Sequence, residues 1–221
     1  MIFRNREHAA TLLAKKLAKY KIQKPLVLGI PRGAVPMAKI IAEALEGDLD
    51  VVLVHKLGAP GQPELAIGAV DEERGVYLSD YSIPECGVSS EYIDREKEQQ
   101  LKTLRRRRAQ YTPFRSPMNP SGRNVIVVDN GIATGATMIA ALRSAREKAP
   151  AKLIAAVAVL PVSTLRRIEK YADEVAYLDT PEDFFAVGQY FEDFSQVTDD
   201  DVVAILKSVK PQEKPKEKIV A

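Results

Sequence analysis

The stretch "NVIVVDNGIATGATMIAAL" (residues 124–142) decides how the rest of the chain is read. Its apolar run, Val125 to Val128, leads directly into Asp129 and Asn130. A small-residue segment, Gly131 to Thr137, follows, and then a helix-like one. An apolar run without alternation is what a strand buried on both faces requires. Turn residues of almost any kind would reverse the chain after it. A carboxylate, an amide and a loop kept this small therefore ask for a further reason.

Outward from this stretch, strand-like and helix-like runs alternate. "PLVLGI" (25–30), "DVVLVHK" (50–56), "KLIAAVAVL" (152–160) and "EVAYLD" (174–179) read as further strands, and "VYL" (76–78) as a short one. Helical spacing of apolar residues marks 6–20, 34–47, 138–148 and 163–172, the last starting at Ser163. Buried strands joined by helices require a sheet covered on both faces. The fold class is therefore α/β, a parallel sheet of about five strands flanked by helices. The glycines and prolines of "LGAPGQPELAIGA" (57–69) predict a mobile or irregular loop after the second strand. Residues 80–124 break the rhythm and read as a helical insertion. The Lys/Glu/Pro-rich tail at 211–221 is expected to be disordered, which leaves a single domain over 1–210.

Composition narrows the function classes. Lys and Arg number 32 against 30 Asp and Glu, so a net charge of +2 creates no overall field for nucleic acid or an anionic membrane. The N-terminus lacks a signal-peptide core and no apolar run has the length of a membrane span, so a cytoplasmic location is expected. Cys86 is the only cysteine, which excludes an internal disulfide and a cysteine-based zinc site. His8 and His55 are too few and too separated in sequence for a metal cluster. His55, beside Lys56, reads as structural, with contact to an anion as the alternative.

In an open parallel sheet, ligands collect at the carboxyl ends of strands, where Asp129 and Asn130 stand. The loop after them offers backbone N–H groups at a helix N-terminus, an anion site. Gly135 permits close backbone approach, Thr134 and Thr137 add hydroxyl donors, and Ala133 and Ala136 leave the cradle open. Asp129 and Asn130 can accept hydrogen bonds from sugar hydroxyls. A phosphate holder beside a hydroxyl reader suits a sugar phosphate, its ring over the Asp-Asn pair and its phosphate in the loop. The plainer reading is a surface turn with an Asp cap, which accounts for each residue singly but not for their order. Neither G-x-x-x-x-G-K-[ST] nor G-x-G-x-x-G occurs.

"VIVVDNGIATGAT" resembles the phosphoribosyl-diphosphate signature of the type I phosphoribosyltransferases: apolar residues, an acidic pair, then a small Thr-Gly-rich loop. "GIPRGAVPMA" resembles that family's pyrophosphate loop, and "VVLVHKLGAPGQPELAIGAV" its second strand and flexible flap. With "DTPEDFFAVGQYFEDFSQVTD", the likeness to a subgroup of uncharacterised phosphoribosyltransferase-like proteins covers nearly the whole chain. It implies transfer of a phosphoribosyl group from phosphoribosyl diphosphate to a nucleobase-like small molecule, with release of pyrophosphate. Mg²⁺ is the implied cofactor, held mainly by the substrate near Asp129, and a homodimer the implied assembly. The implied catalytic residues are Asp129, Arg32 and Lys56, with Arg32 and Gly33 holding the pyrophosphate and Lys56 adding a second positive charge. Asn130, Ala133, Thr134, Gly135, Ala136 and Thr137 complete the implied substrate site. Phe184 and Phe185 fall where this fold often places a hood over the base; core packing is expected of at least one of them, with stacking on the base as the alternative for the other. The flap at 57–69 is expected to close over the site and exclude water.

One position departs from the signature: the second acidic residue is Asn130. An amide brings no negative charge near the cationic ring of the transition state. This motivates an alternative function, a non-catalytic module that senses phosphoribosyl diphosphate or a nucleotide. "LRRRRAQY" (104–111) invites a nucleic-acid reading, but the preceding "EYIDREKEQQ" is acid-rich. Acids at the start of a helix and arginines at its end match the helix dipole, so a solvated or dimer-contact helix is expected and nucleic acid is not.

Overall fold

The computed structural model describes residues 1–78 and 88–209, with the side chains of Pro63 and Glu64 left aside. Cys86, part of the expected insertion and the expected disordered tail lie outside those residues. In chain order come helix α1 (Arg6–Lys16), strand β1 (Leu26–Gly29), helix α2 (Val35–Ala44), and strands β2 (Asp48–Val51), β3 (Val54–Ala59), β4 (Gln62–Asp71) and β5 (Val76–Leu78). Helix α3 (Ser90–Tyr111), strand β6 (Asn124–Gly131), helix α4 (Ala136–Glu147), strand β7 (Lys152–Val159), helix α5 (Val162–Ile168), strand β8 (Glu174–Asp179) and helix α6 (Asp199–Ser208) follow. Among the described residues no helix is long and apolar enough to cross a membrane.

Five strands form one parallel sheet in the order β2-β1-β6-β7-β8. Leu26 pairs with Val125 and Gly29 with Val128, so β1 and β6 end side by side. Along β6, alternate residues point to opposite faces. Val125 and Val127 pack with Met138, Ile139 and Leu142 of α4, while Ile126 and Val128 pack with Leu13 of α1 and Met37 of α2. Both faces are thus covered, which is why the run shows no polar alternation. Each such fully buried aliphatic side chain contributes about 1.5–3 kcal/mol. The chain leaves β1 toward β2 on one side and β6 toward β7 on the other. The crevice between the ends of β1 and β6 is therefore the topological switch point, where such sheets bind ligands.

The expected strand at 50–56 is two strands in two sheets. Val52 N–H reaches the Gly29 carbonyl at 3.2 Å as the last tie to the parallel sheet, and the chain then turns into β3. Both halves are buried, so the apolar run carries no mark of the change. Nor is 57–69 an irregular loop: β3, β4 and β5 form an antiparallel sheet, with Pro60 and Gly61 at the hairpin turn. Gly61 takes φ +71°, as a tight turn asks of glycine. A Cβ on Gly68 would meet the Tyr77 carbonyl oxygen at 2.3 Å, so this glycine reports close strands rather than a flexible segment. Helix α1 stops at Lys16, and a 3-10 turn carries Ala18–Gln23. Pro25 disfavours helical backbone at Lys24, which adopts φ 44°. The helix expected from Ser163 spans Val162–Ile168 and begins after Pro161.

Candidate functional site

A cavity of about 480 Å³ opens at the switch point. Arg32 and Gly33 reach it from the loop after β1, His55 and Lys56 from β3, Asn130 and Thr137 from the motif. The loop after β1, strand β3 and the motif after β6 thus line one cavity, although β3 belongs to the second sheet. The Pro31–Arg32 peptide bond is cis. Arg6, Arg107 and the pair Phe194 and Gln196, none of them expected from the sequence, complete the polar and aromatic wall.

Asn130 is 8% exposed, and its role differs from that of a free hydroxyl reader. Its Oδ1 accepts a hydrogen bond from Arg6 Nε at 3.2 Å. Its Nδ2 lies so near Gly33 that a Cβ there would sit 2.4 Å away. The amide is therefore wedged between the start of α1 and the loop after β1. Asn5 caps α1 by accepting from His8 N–H at 2.9 Å, and this directs Arg6 toward the crevice. Arg6 then donates through Nη1 to the Ser195 carbonyl at 2.8 Å and lies 4.0 Å above the Phe194 ring. Phe191 stacks on Phe194 at 4.8 Å, so Phe194 packs against both Arg6 and a second aromatic ring. Burial pulls the Arg6 guanidinium down from its ordinary value, with Asp193 opposing.

Beside Asn130, the half-buried Asp129 carboxylate accepts from the Asn130 N–H at 2.7 Å. Desolvation pushes its carboxyl up to about 7, against the pull of that single hydrogen bond. Asp129 stands at the crevice but does not line the cavity, and the same holds for Thr134. Ala133 and Thr134 are exposed on the open side of the loop. Gly135 precedes α4 at φ +85°, a conformation that glycine alone adopts cheaply. A Cβ on it would face Thr164 at 3.2 Å, so its smallness serves backbone shape and packing, not approach to an anion. Ala136 is likewise buried in the packing of α4. Thr164 Oγ1 donates to the Ala133 carbonyl at 2.6 Å and anchors the loop. Glycine in the cap position supplies no side-chain cap to the first N–H groups of α4. These groups remain for a ligand.

The arginine-rich helix is not merely solvated. Arg107 lies on the cavity wall, its Nε 3.3 Å from Asp199 Oδ1, at the first residue of α6. Arg32 Nη1 stands 4.0 Å from the other oxygen of Asp199, and the buried Tyr111 hydroxyl donates to Asp199 at 2.5 Å. Burial first, then this bond, raise the Tyr111 phenol far above its ordinary value. The next arginine, Arg108, makes a two-point pair with Glu72 at the end of β4. The helix thus ties the small sheet to α6. Phe184 stacks on Tyr190 at 5.5 Å and Phe185 is 86% exposed; neither lines the cavity.

Comparison with known proteins agrees with this geometry. A family model described as the phosphoribosyl transferase domain matches residues 1–194. Proteins from two Mycobacterium tuberculosis strains, provisionally named phosphoribosyl transferases, are 42% identical over 205 residues, covering 93% of this chain and 46% of theirs. The chain therefore spans about half the length of these curated relatives. A crystal structure from Thermus thermophilus superposes with a TM-score of 0.79 at 44% identity, covering 94% of this chain and 98% of that one. The crevice between β1 and β6, the uncapped loop before α4 and these matches agree: the chain belongs to the phosphoribosyl transferase domain family.

Proposed function

We propose that this protein binds phosphoribosyl diphosphate in the crevice and transfers its phosphoribosyl group to a small N–H nucleophile, a nucleobase or similar compound, releasing pyrophosphate. One observation supports the reading: Arg32, Gly33 and Lys56 line the same cavity as Thr137, in the first turn of α4. The uncapped N-terminus of α4 suits the 5-phosphate, and Arg32, Gly33 and Lys56 suit the diphosphate. Asp129, at the end of β6 beside the crevice, is the group we assign to the ribose. Burial in the crevice strengthens the pull of these cations on the negative charge that develops on the leaving pyrophosphate.

The donor set bears on Mg²⁺. The charged side chains lining the cavity are cations, and among the described residues no three His, Cys, Asp or Glu gather. Such a wall repels a free cation and attracts the diphosphate, so Mg²⁺ would enter with that ligand, and Asp129 is the residue that would share it. When bound, the ion supplies charge neutralisation to the leaving pyrophosphate. The chain's own residues orient the ligand and exclude water.

The test is pyrophosphate release from Mg²⁺ and phosphoribosyl diphosphate with a panel of nucleobases. Release that depends on one acceptor and is lost in Arg32→Ala supports the transferase. A second reading, a regulatory module that binds the same ligand without turnover, rests on Asn130, a neutral side chain committed to Arg6 where the signature has an acid. Tight calorimetric binding with no release favours that module, and no binding rejects both.

A further inference from the structure

Transfer to an N–H nucleophile liberates a proton, and the cavity wall restricts where it goes. Apart from His55, the polar side chains described on that wall are guanidinium, ammonium, amide or hydroxyl groups. None of these takes up a proton near neutral pH. His55, on β3, is the one Brønsted base among them. Its Nδ1 lies 3.0 Å from the Lys56 carbonyl oxygen. A carbonyl only accepts, so Nδ1 carries the hydrogen and the neutral ring keeps its lone pair on Nε2.

We propose that His55 is the catalytic base that accepts the proton of the incoming nucleophile, a role that rests on the transferase reading above. The acceptor nitrogen lone pair forms the bond to C1 of the ribose. The C1–O bond to pyrophosphate breaks, and its electron pair leaves on the pyrophosphate oxygen. The acceptor's N–H proton passes to Nε2 of His55 and from there to water. The surroundings keep the ring ready for this. Burial pulls the imidazole below its ordinary value, as do Arg107 from α3 and Lys56 on the same strand, while the Lys56 carbonyl and Glu96 of α3 oppose them. A neutral imidazole at pH 7 is the form a base requires. Asp129 is the competing base, but its Oδ1 is engaged by the Asn130 N–H, and the reading above commits the carboxylate to the ribose.

His55→Asn tests this, because its amide keeps a donor near the Nδ1 position and removes the base. Pyrophosphate release is followed in single turnovers with Mg²⁺, phosphoribosyl diphosphate and a panel of N–H heterocycles, with water alone as a further acceptor. The variant is expected to be slower by about 10²–10⁴-fold and to lose the acidic limb of the rate–pH profile. Its calorimetric Kd for phosphoribosyl diphosphate should stay within about two-fold, since only a transition-state contact is removed. Added imidazole should restore part of the rate. A wild-type rate in His55→Asn, or an acidic limb that persists there and vanishes in Asp129→Asn, overturns the assignment while leaving the transferase reading intact. Ring ¹⁵N spectra give a readout free of turnover. With two histidines in the chain, His8→Gln identifies the His55 signals. Nε2 is expected unprotonated at pH 7 in the phosphoribosyl diphosphate complex, and a protonated Nε2 there overturns the proposal. Binding without release to any acceptor or to water removes the transferase reading, and the base with it.

Discussion

Replacing Gly33 by alanine probes how the crevice is assembled. The added Cβ would lie 2.4 Å from Asn130 Nδ2 and 3.5 Å from Asn130 Cγ, the first far inside van der Waals contact. Asn130 is buried, and its Oδ1 holds Arg6 Nε at 3.2 Å, so the amide swings clear only by giving up that bond. Overpacking of this size costs about 1–3 kcal/mol. We expect about 2 kcal/mol for Gly33→Ala, which in a chain of this length lowers Tm by about 4–8 °C. Asn130→Ala alone removes a bond from a charged donor and should cost about 1.5–3 kcal/mol. In the double variant the new methyl group occupies space the amide has vacated. Its cost should therefore match that of Asn130→Ala, a coupling of about 2 kcal/mol between the two sites. Urea denaturation of all four proteins at one pH measures the cycle. Additivity to within about 0.5 kcal/mol would refute the contact and, with it, the account of Asn130 as a wedge.

Other expectations follow from the same crevice and from its surroundings. Gly135→Val imposes a β-branched residue at φ +85° before α4 and should lower both Tm and affinity for phosphoribosyl diphosphate; unchanged calorimetric binding would reject this loop as the phosphate holder. Asn130→Asp turns the bond from Arg6 into an ion pair, worth roughly 1 kcal/mol more than the neutral one, so Tm should rise; an unchanged Tm would show that Arg6 does not engage position 130. Asp129, ordinary near 3.8 and raised to about 7 when folded, retains its proton in the native state after the unfolded chain has lost it. Its contribution to stability is thus full below pH 3.8 and declines as pH rises to about 7, and Asp129→Asn should flatten that slope in denaturation profiles. Glu174 behaves oppositely: desolvation raises its carboxyl, but hydrogen bonds from Lys19, Tyr20 and Lys152 prevail and hold it at about 2. Its stabilisation is full above 4.5 and is lost as pH falls toward 2, so Glu174→Gln should show a weaker acid transition.

The parallel sheet was legible because burial on both faces leaves an unmistakable pattern, as in Val125–Val128 and in 152–160. The motif's position was legible for the same reason: a strand end and a helix start bracket it. What the pattern could not carry was a change of sheet within one apolar run, as at Val52 and Leu53. Glycine and proline mark a hairpin turn and a loop alike, which concealed β3 and β4 behind an expected irregular segment. Among Arg105, Arg106, Arg107 and Arg108, successive side chains turn about 100° around the helix. Only the tertiary partners Asp199 and Glu72 distinguish Arg107 and Arg108 from their exposed neighbours. Arg6 and Phe194 were invisible for a different reason. Each is an ordinary residue in its own segment, and their meaning lies in a contact between distant parts of the chain.

That contact has a consequence for the protein's birth on the ribosome. Arg6 and its carbonyl partner at Ser195 are 189 positions apart. At a synthesis rate of about 5–20 residues per second, Arg6 emerges roughly 10–40 s before that partner is made. The sheet as far as β8 precedes Phe194 and Asp199 in the chain, so its strands can pair first. During the interval Arg6, Arg32 and Arg107 gather without the ring and carboxylate that hold them in the finished molecule. Until residues 194–199 arrive, Arg6 has only Asn130 to hold it, and the nascent crevice presents guanidinium groups whose final wall is still missing.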